Sequence, residues 1–293
     1  MEGSTRVTSL QHTVAAPLRV RGIGLRQGHA AAVELRPAAE GAGRTFVIGG
    51  VRIPATVAHV VDTRLATTLG LDGARVSMVE HLCAALYGCG IDNVDVHVEG
   101  DEVPVLDGSA RTWVEAIESV GRASQTMARR PLTVREEVRV EVNGAWATLA
   151  PAPQFELDLT IDFSHPSIRR QRYVGHAEGP AFREHLSWAR TFGFLRDAEQ
   201  LRAAGLARGA SLENTVVYDD SGVLNPGGLR HPEEAVRHKA LDAVGDMALL
   251  GRPLHARLTA CRAGHALHIA VLNAVVSAAT RAWTPADTHA EGP

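Results

Sequence analysis

The sequence predicts an α+β protein built from two similar halves, on three observations. Between Gln11 and Gly121, short alternating apolar runs broken by glycine give way to a helical spacing, a further strand and a second helix, and the same succession recurs after Pro131. Val79-x-His81 with Gly88 aligns without a gap on Val236-x-His238 with Gly245, each time on a helix that leads into a strand. Between the halves, residues 122–131 (RASQTMARRP) are polar, lack periodicity and end in proline, which sets the boundary between a domain of residues 1–125 and one of residues 126–293.

In the first half, Leu18 and Val20, then Ala32, Val33 and Leu35, mark strands punctuated by the glycines of GIGLRQG and EGAGR. Residues 51–70 continue in β character. In residues 77–90 (SMVEHLCAALYGCG) Val79, Leu82, Ala85 and Leu86 fall on one helical side, and Ser77 with Glu80 has the form of a capping box. IDNVDVHVEG alternates as a strand, and residues 107–121 form a helix with Trp113, Ile117 and Val120 inward. In the second half LTVREEVRVEV, AWATLAP and FELDLTIDF read as strands and residues 180–188 as a helix, followed by a stretch without clear type to 218. A helix follows RHPEE, with Pro232 in its first turn, and stops at Gly251. HARLTA is a strand, RAGH a turn and ALHIAVLNAVVSAATRAW a helix, and the last ten residues read as a frayed tail.

With 293 residues, 45% of them hydrophobic and 22% charged, the chain has the composition of a globular protein. A formal net charge of -3 and the lack of a dense basic run exclude nucleic acid or an anionic membrane surface as the main partner. Three cysteines without C-x-x-C spacing read as core residues of a reducing compartment. The first residues carry no apolar run fit for a signal peptide, and no stretch reaches the roughly 18 apolar residues that span a bilayer. The expectation is a cytoplasmic monomer without a transmembrane segment.

The chemistry concentrates in RHKALDAVGD, residues 237–246. His238, Asp242 and Asp246 follow at steps of four, on one helical face with side-chain roots about 5–6 Å apart. His238 and Asp242 either give a metal two ligands from one rigid element, with a third to come from elsewhere, or form a solvent-facing ion pair. Leu241, Val244, Met247 and Leu249 leave little solvated face for the second reading, and a buried carboxylate without a partner is costly. Glu80-His81 offers the remaining parts. Glu80 is a helix-cap acid, a general base, or both, and His81 is a core histidine or a metal ligand.

His265, just after Gly264, is either a surface histidine or an acid that a carboxylate such as Asp246 orients and makes more basic. Thr191 in ARTFGF is a hydroxyl beside two phenylalanines. Lys239, on another face from His238, is a surface lysine or a phosphate contact. GIGLRQG lacks the strand-loop-helix setting and the Lys-Ser/Thr ending of a phosphate loop.

The segments VEHLCAALYGCGIDN, EVPVLDGSA, ARTFGF, GASLENTVV, GLRHPEEAVRHKALDAVGD and GHAL, in this order across nearly the whole chain, resemble the UDP-3-O-acyl-N-acetylglucosamine deacetylases, which commit Gram-negative bacteria to lipid A synthesis. The resemblance implies two similar α+β domains, helices sandwiched between sheets, an insert in each domain and an active site at their junction. It implies one zinc held by His81, His238 and Asp242, with iron(II) suited to the same donors. Glu80 is then the base, His265 oriented by Asp246 the acid, Thr191 a donor to the oxyanion and Lys239 a contact to the substrate's diphosphate. The insert of about residues 190–218 becomes an acyl passage lined by Phe192, Phe194, Leu201 and Leu206. Other readings are a zinc deacetylase of a different sugar nucleotide and a catalytically silent acyl-sugar-nucleotide binder.

Three positions depart from the family's pattern. Arg26-Gln27 stand where the first glycine loop usually has His-[Ser/Thr], His268-Ile269 replace two asparagines after GHAL, and Met78 replaces a threonine. The second is expected to alter how His265 is supported.

Overall fold

The computed structural model describes residues 9–282. The first eight residues of the supposed leaderless amino terminus and the ten-residue tail lie outside the described residues. The first half of the chain builds a five-stranded sheet in the order Leu18–Ile23, Ala30–Pro37, Val94–Glu99, Arg44–Ile48, Val51–Pro54. The second half repeats that order with Val138–Val142, Ala145–Pro151, Leu254–Cys261, Glu156–Asp162 and Arg170–His176. In each, two hairpins come first, and the last strand inserts between them, antiparallel to one and parallel to the other. A parallel neighbour requires a crossover, and a helix supplies it in both halves.

The helices are α1 (Glu80–Gly88), α2 (Arg111–Val120), α3 (Gly179–His185), α4 (Leu195–Ala203), α5 (Glu234–Met247) and α6 (His265–Ala282). The inserted strands alternate buried and less buried residues, which gives each sheet one apolar face to cover. α2 lies against Leu18–Ile23, α5 over Glu156–Asp162 and Arg170–His176, and α6 over Val138–Val142 and Ala145–Pro151, while α1 packs on α5 and α2. Every residue of α1 is buried, as is all of α5 except Arg237 and Lys239. α1, α2, α5 and α6 are therefore a filling between two sheets, as the α+β expectation requires, while α4 buries none of its residues and belongs to the second insert.

Each half also carries an insert before its crossover helix. In the first it is a three-stranded sheet of Val60–Asp62, Thr68–Leu71 and Ala74–Val76. In the second, Phe192–Phe194 runs parallel to Val216–Asp219 with α4 between them, and Gly222–Val223 completes the sheet.

Three expectations need correction. Ser77 does not cap α1: its hydroxyl meets Thr68 Oγ1 at 2.7 Å and accepts from Arg26 Nη1 at 3.0 Å. Met78, in the left-handed region at φ 62°, turns the chain so that the helix starts at Glu80 without a side-chain cap. Residues 122–128 are not an aperiodic break. Arg122–Ala128 pairs antiparallel with Leu10–Val14, and its alternation between exposed and half-buried residues escapes notice because few of them are apolar. The edge strand Arg170–His176 was missed for a related reason, since of its seven residues only Tyr173 is buried.

The echo between Val79-x-His81 and Val236-x-His238 has a topological basis, although its two glycines do different work. A Cβ on Gly88 would strike the Phe182 ring, whereas a Cβ on Gly245 would strike the backbone carbonyl of Glu80. Gly245 is thus what lets α5 approach the first turn of α1. Replacing it by alanine gains about 1 kcal/mol of helix propensity but forces backbone apart. Gly245→Ala is expected to lose at least about 1 kcal/mol of stability net. Gly227→Ala, where an added Cβ meets nothing within 4 Å, should stay within about 0.5 kcal/mol of the parent; urea unfolding of both variants measures the contrast.

Candidate metal centre

Where α1 crosses α5, the rings of His81 and His238 stand edge to face with centroids 5.0 Å apart. Their Nε2 atoms lie 3.5 and 3.3 Å from a single oxygen, Asp242 Oδ1. That oxygen is buried and accepts no hydrogen bond among the described residues. His238 Nδ1 donates to the Ala189 carbonyl at 3.0 Å, which leaves Nε2 as the bare nitrogen. Burial, outweighing the pull of Asp242, pushes His238 down to about 3, so the ring is neutral at ordinary pH. Two imidazole nitrogens and a carboxylate oxygen converge here in a buried place, and a divalent cation would satisfy all three. The donor set fits a metal on that ground.

The second oxygen of Asp242 accepts from Lys239 Nζ at 2.9 Å. Lys239 was expected on another face; the i,i+3 relation lets its long stem swing back over Phe192, with Nζ 5.5 Å from that ring. Burial disfavours its charge, but Asp242 beside it outweighs this and holds the ammonium above its ordinary value.

One turn further along α5, Asp246 is fully buried and fully used. Oδ2 accepts from Nδ1 of His265 and Nδ1 of His268, both at 2.8 Å, and Oδ1 accepts from Thr67 Oγ1 at 2.6 Å. Burial opposes charge on His265, yet the charge and hydrogen bond of Asp246 prevail and push it up to about 10. His268, at one of the positions that depart from the family's pattern, joins His265 on the same carboxylate.

His265 begins α6, and its Nε2 faces Glu80 Oε1 at 3.9 Å. Glu80 itself is 2% exposed, and burial raises its pKa above the usual carboxylate range against the pull of His265 and His81. Its Oε2 accepts from Thr67 N at 3.1 Å. Thr67 thus ties Glu80 to Asp246, a role the sequence reading missed. Nothing in a β-like run marks one threonine hydroxyl as different from the next.

Thr191 is half-buried, with its N–H donating to Gly108 and its carbonyl accepting from Val216. Its hydroxyl makes no hydrogen bond among the described residues; it lies two residues beyond Ala189, whose carbonyl holds His238. The Phe192 ring stands 6.3 Å from that of His238, while Phe194 lies one ring further out, near Phe192, Phe163 and Tyr218. Leu201 and Leu206 are half-buried on and after α4, away from the main core. Phe163 and Tyr218 were not anticipated, because each sits in a stretch that reads only as strand or as untyped.

Around the first glycine loop, Glu102 accepts from the backbone N–H groups of Arg26 and Gln27 at 3.1–3.2 Å. A carboxylate of the protein takes the donors that a phosphate loop would offer. The cysteines Cys83, Cys89 and Cys261 are free.

The chain was compared with known proteins. The family model described as UDP-3-O-acyl N-acetylglycosamine deacetylase matches residues 11–277. The UDP-3-O-acyl-N-acetylglucosamine deacetylase of Myxococcus xanthus (strain DK1622) is 47% identical over 271 residues, 91% of this chain and 86% of the relative. Those of Anaeromyxobacter sp. (strain Fw109-5) and Shewanella woodyi (strain ATCC 51908 / MS32) are 45% and 42% identical, each over 91% of this chain and over 88% and 90% of the relative. With the match spanning both sheets and every residue of the centre, the chain belongs to the UDP-3-O-acyl N-acetylglycosamine deacetylase family.

Proposed function

We propose that the chain hydrolyses the 2-acetamido group of UDP-3-O-acyl-N-acetylglucosamine to acetate and the free amine, using one zinc ion held by His81, His238 and Asp242. The observation that carries this is Asp242 Oδ1, a buried carboxylate oxygen that accepts no hydrogen bond among the described residues, where the Nε2 atoms of two imidazoles meet. Iron(II) fits the same donors. A bound ion supplies Lewis acidity, lowering the pKa of a water to about 7 and polarising a carbonyl.

Glu80 takes the proton of the attacking water, its carboxylate fixed by Thr67 and made more basic by burial. His265, held protonated by Asp246, meets the negative charge that grows on the acyl oxygen and gives a proton to the leaving amine. The unpaired hydroxyl of Thr191 adds a second donor to that oxygen. Lys239 supplies charge for the diphosphate, and Phe192 and Phe194, with Leu201 and Leu206 on the same insert, line the path of the acyl chain. The domains of residues 1–125 and 126–293 each contribute one crossover helix to this centre. No described helix is long and apolar enough to cross a membrane, and in this reading the protein works as a cytoplasmic monomer.

Acetate release from acylated and unacylated UDP-N-acetylglucosamine, with metal analysis of freshly purified protein, tests the proposal: one ion per chain and a strong preference for the acylated substrate are expected, and turnover of the unacylated sugar alone would refute it. Chelation should abolish turnover and added zinc restore it. Glu80→Gln is expected to keep the metal and the fold while losing roughly 10²- to 10⁴-fold in kcat.

The raised pKa of His265 gives a signed pH dependence. Its contact with Asp246 contributes stability that is fully present below the unfolded value of 6.5 and is lost as pH rises through about 10. Asp246→Asn removes the charge that holds the proton, so the basic limb of kcat/KM should move to lower pH, whereas an unmoved limb would remove His265 from the acid's role.

A further inference from the structure

We infer that His268 is a positioning residue for His265: by sharing one oxygen of Asp246 it holds that carboxylate in the orientation that aims His265 Nε2 at Glu80. The inference rests on the reaction proposed above. His268 is 1% exposed and lies three residues after His265 on α6, its ring nearly perpendicular to that of His265 with centroids 6.5 Å apart. Both Nδ1 atoms donate to Asp246 Oδ2 at 2.8 Å. The lone pairs of a carboxylate oxygen lie near the carboxyl plane, so two donors on one oxygen set that plane, where a single donor sets only a direction. Thr67 on Oδ1 is the third restraint.

His268 acts through this contact alone. Its Nε2 is buried without a hydrogen-bond partner among the described residues, and its ion pair is with Asp246. An apolar side chain at the same place would avoid leaving a buried polar atom unpaired, so packing gives no reason for an imidazole here. The reason the geometry does offer is the Nδ1 hydrogen bond. The same trio of Asp246, His265 and His268 has the spacing of a metal site, but both Nδ1 atoms carry the hydrogens they donate, and the carboxylate is already satisfied.

Two variants of the metal-loaded enzyme separate positioning from packing. His268→Leu removes the donor at similar volume, while His268→Asn places its amide nitrogen the same number of bonds from Cβ as Nδ1. For His268→Leu, kcat should fall roughly 10- to 100-fold, with KM and metal content unchanged; His268→Asn should recover most of the loss. Independently of any substrate, the Nδ1 proton of His265 followed by NMR should persist in the wild type and His268→Asn and be broadened away in His268→Leu. Wild-type kcat in His268→Leu, equal loss in both variants, or an undisturbed His265 proton would overturn the inference. If His268→Leu does not fold, His268→Gln takes its place, its longer arm displacing the carboxylate, and equal kcat in the Gln and Asn variants would count against it. Absence of acetate release by the wild type refutes the reaction instead and leaves the NMR comparison to decide for His268.

Discussion

The carbonyl of Glu80 rests against the α-carbon of Gly245, and most of what is distinctive in this molecule depends on that contact. Each half of the chain folds its own sheet and sends one buried helix across it, and neither helix carries a complete site. α1 holds Glu80 and His81, and α5 holds His238, Asp242 and Asp246. Close approach of the two backbones brings His81 Nε2 and His238 Nε2 to nearly equal distances from one carboxylate oxygen. A side chain at position 245 would move the elements as rigid bodies, because well-packed interiors transmit displacement without absorbing it. The site is therefore a property of the interface between the halves.

Within that interface, one helical stripe serves two electrostatic purposes. Asp242 and Asp246 are the same residue type, both buried and one turn apart. Asp242 faces the Nε2 atoms of two imidazoles, and that of His238 is bare, since the Ala189 carbonyl takes the proton side of this ring and burial keeps it neutral. Asp246 faces imidazoles that turn their N–H groups toward it, and its charge raises His265 to about 10. The difference lies in which ring nitrogen each histidine presents. Backbone acceptors and helix starts decide that, and it separates the carboxylate of the candidate metal centre from one that holds a neighbouring imidazole charged.

The sequence carried much of this and left out a definable part. Steps of four on an apolar helix were enough to single out His238, Asp242 and Asp246, because helical geometry makes i,i+4 neighbours whatever the fold. Glu80, His81 and His265 became legible through their neighbours and through the family resemblance. Thr67 was not legible, since its role is created by a chain reversal in the first insert that brings one residue's N–H and hydroxyl to two separate carboxylates. Nor was the side to which Lys239 turns, which rotamer freedom and the charge of Asp242 settle. Strands with few buried apolar residues, Arg122–Ala128 and Arg170–His176, escaped because periodicity is a signal only where one face meets a core.

The segment Ala189 to Phe192 shows how substrate recognition and chemistry become linked in the proposed reaction. Ala189 fixes the tautomer of His238, Thr191 offers its hydroxyl, and Phe192 packs beside the His238 ring at the head of the insert. Arg190, between them, is bound by Nε and Nη2 to Glu234, the first residue of α5, and both are buried. Separating such a pair leaves an uncompensated charge and costs about 3–5 kcal/mol. The clamp therefore keeps these four residues in register with the helix whose next turn carries His238. In the proposed reaction, an acyl chain settling against Phe192 would press on a wall that cannot move without disturbing Ala189 and the start of α5. Binding energy from a remote part of the substrate is in this way available to order the reacting groups.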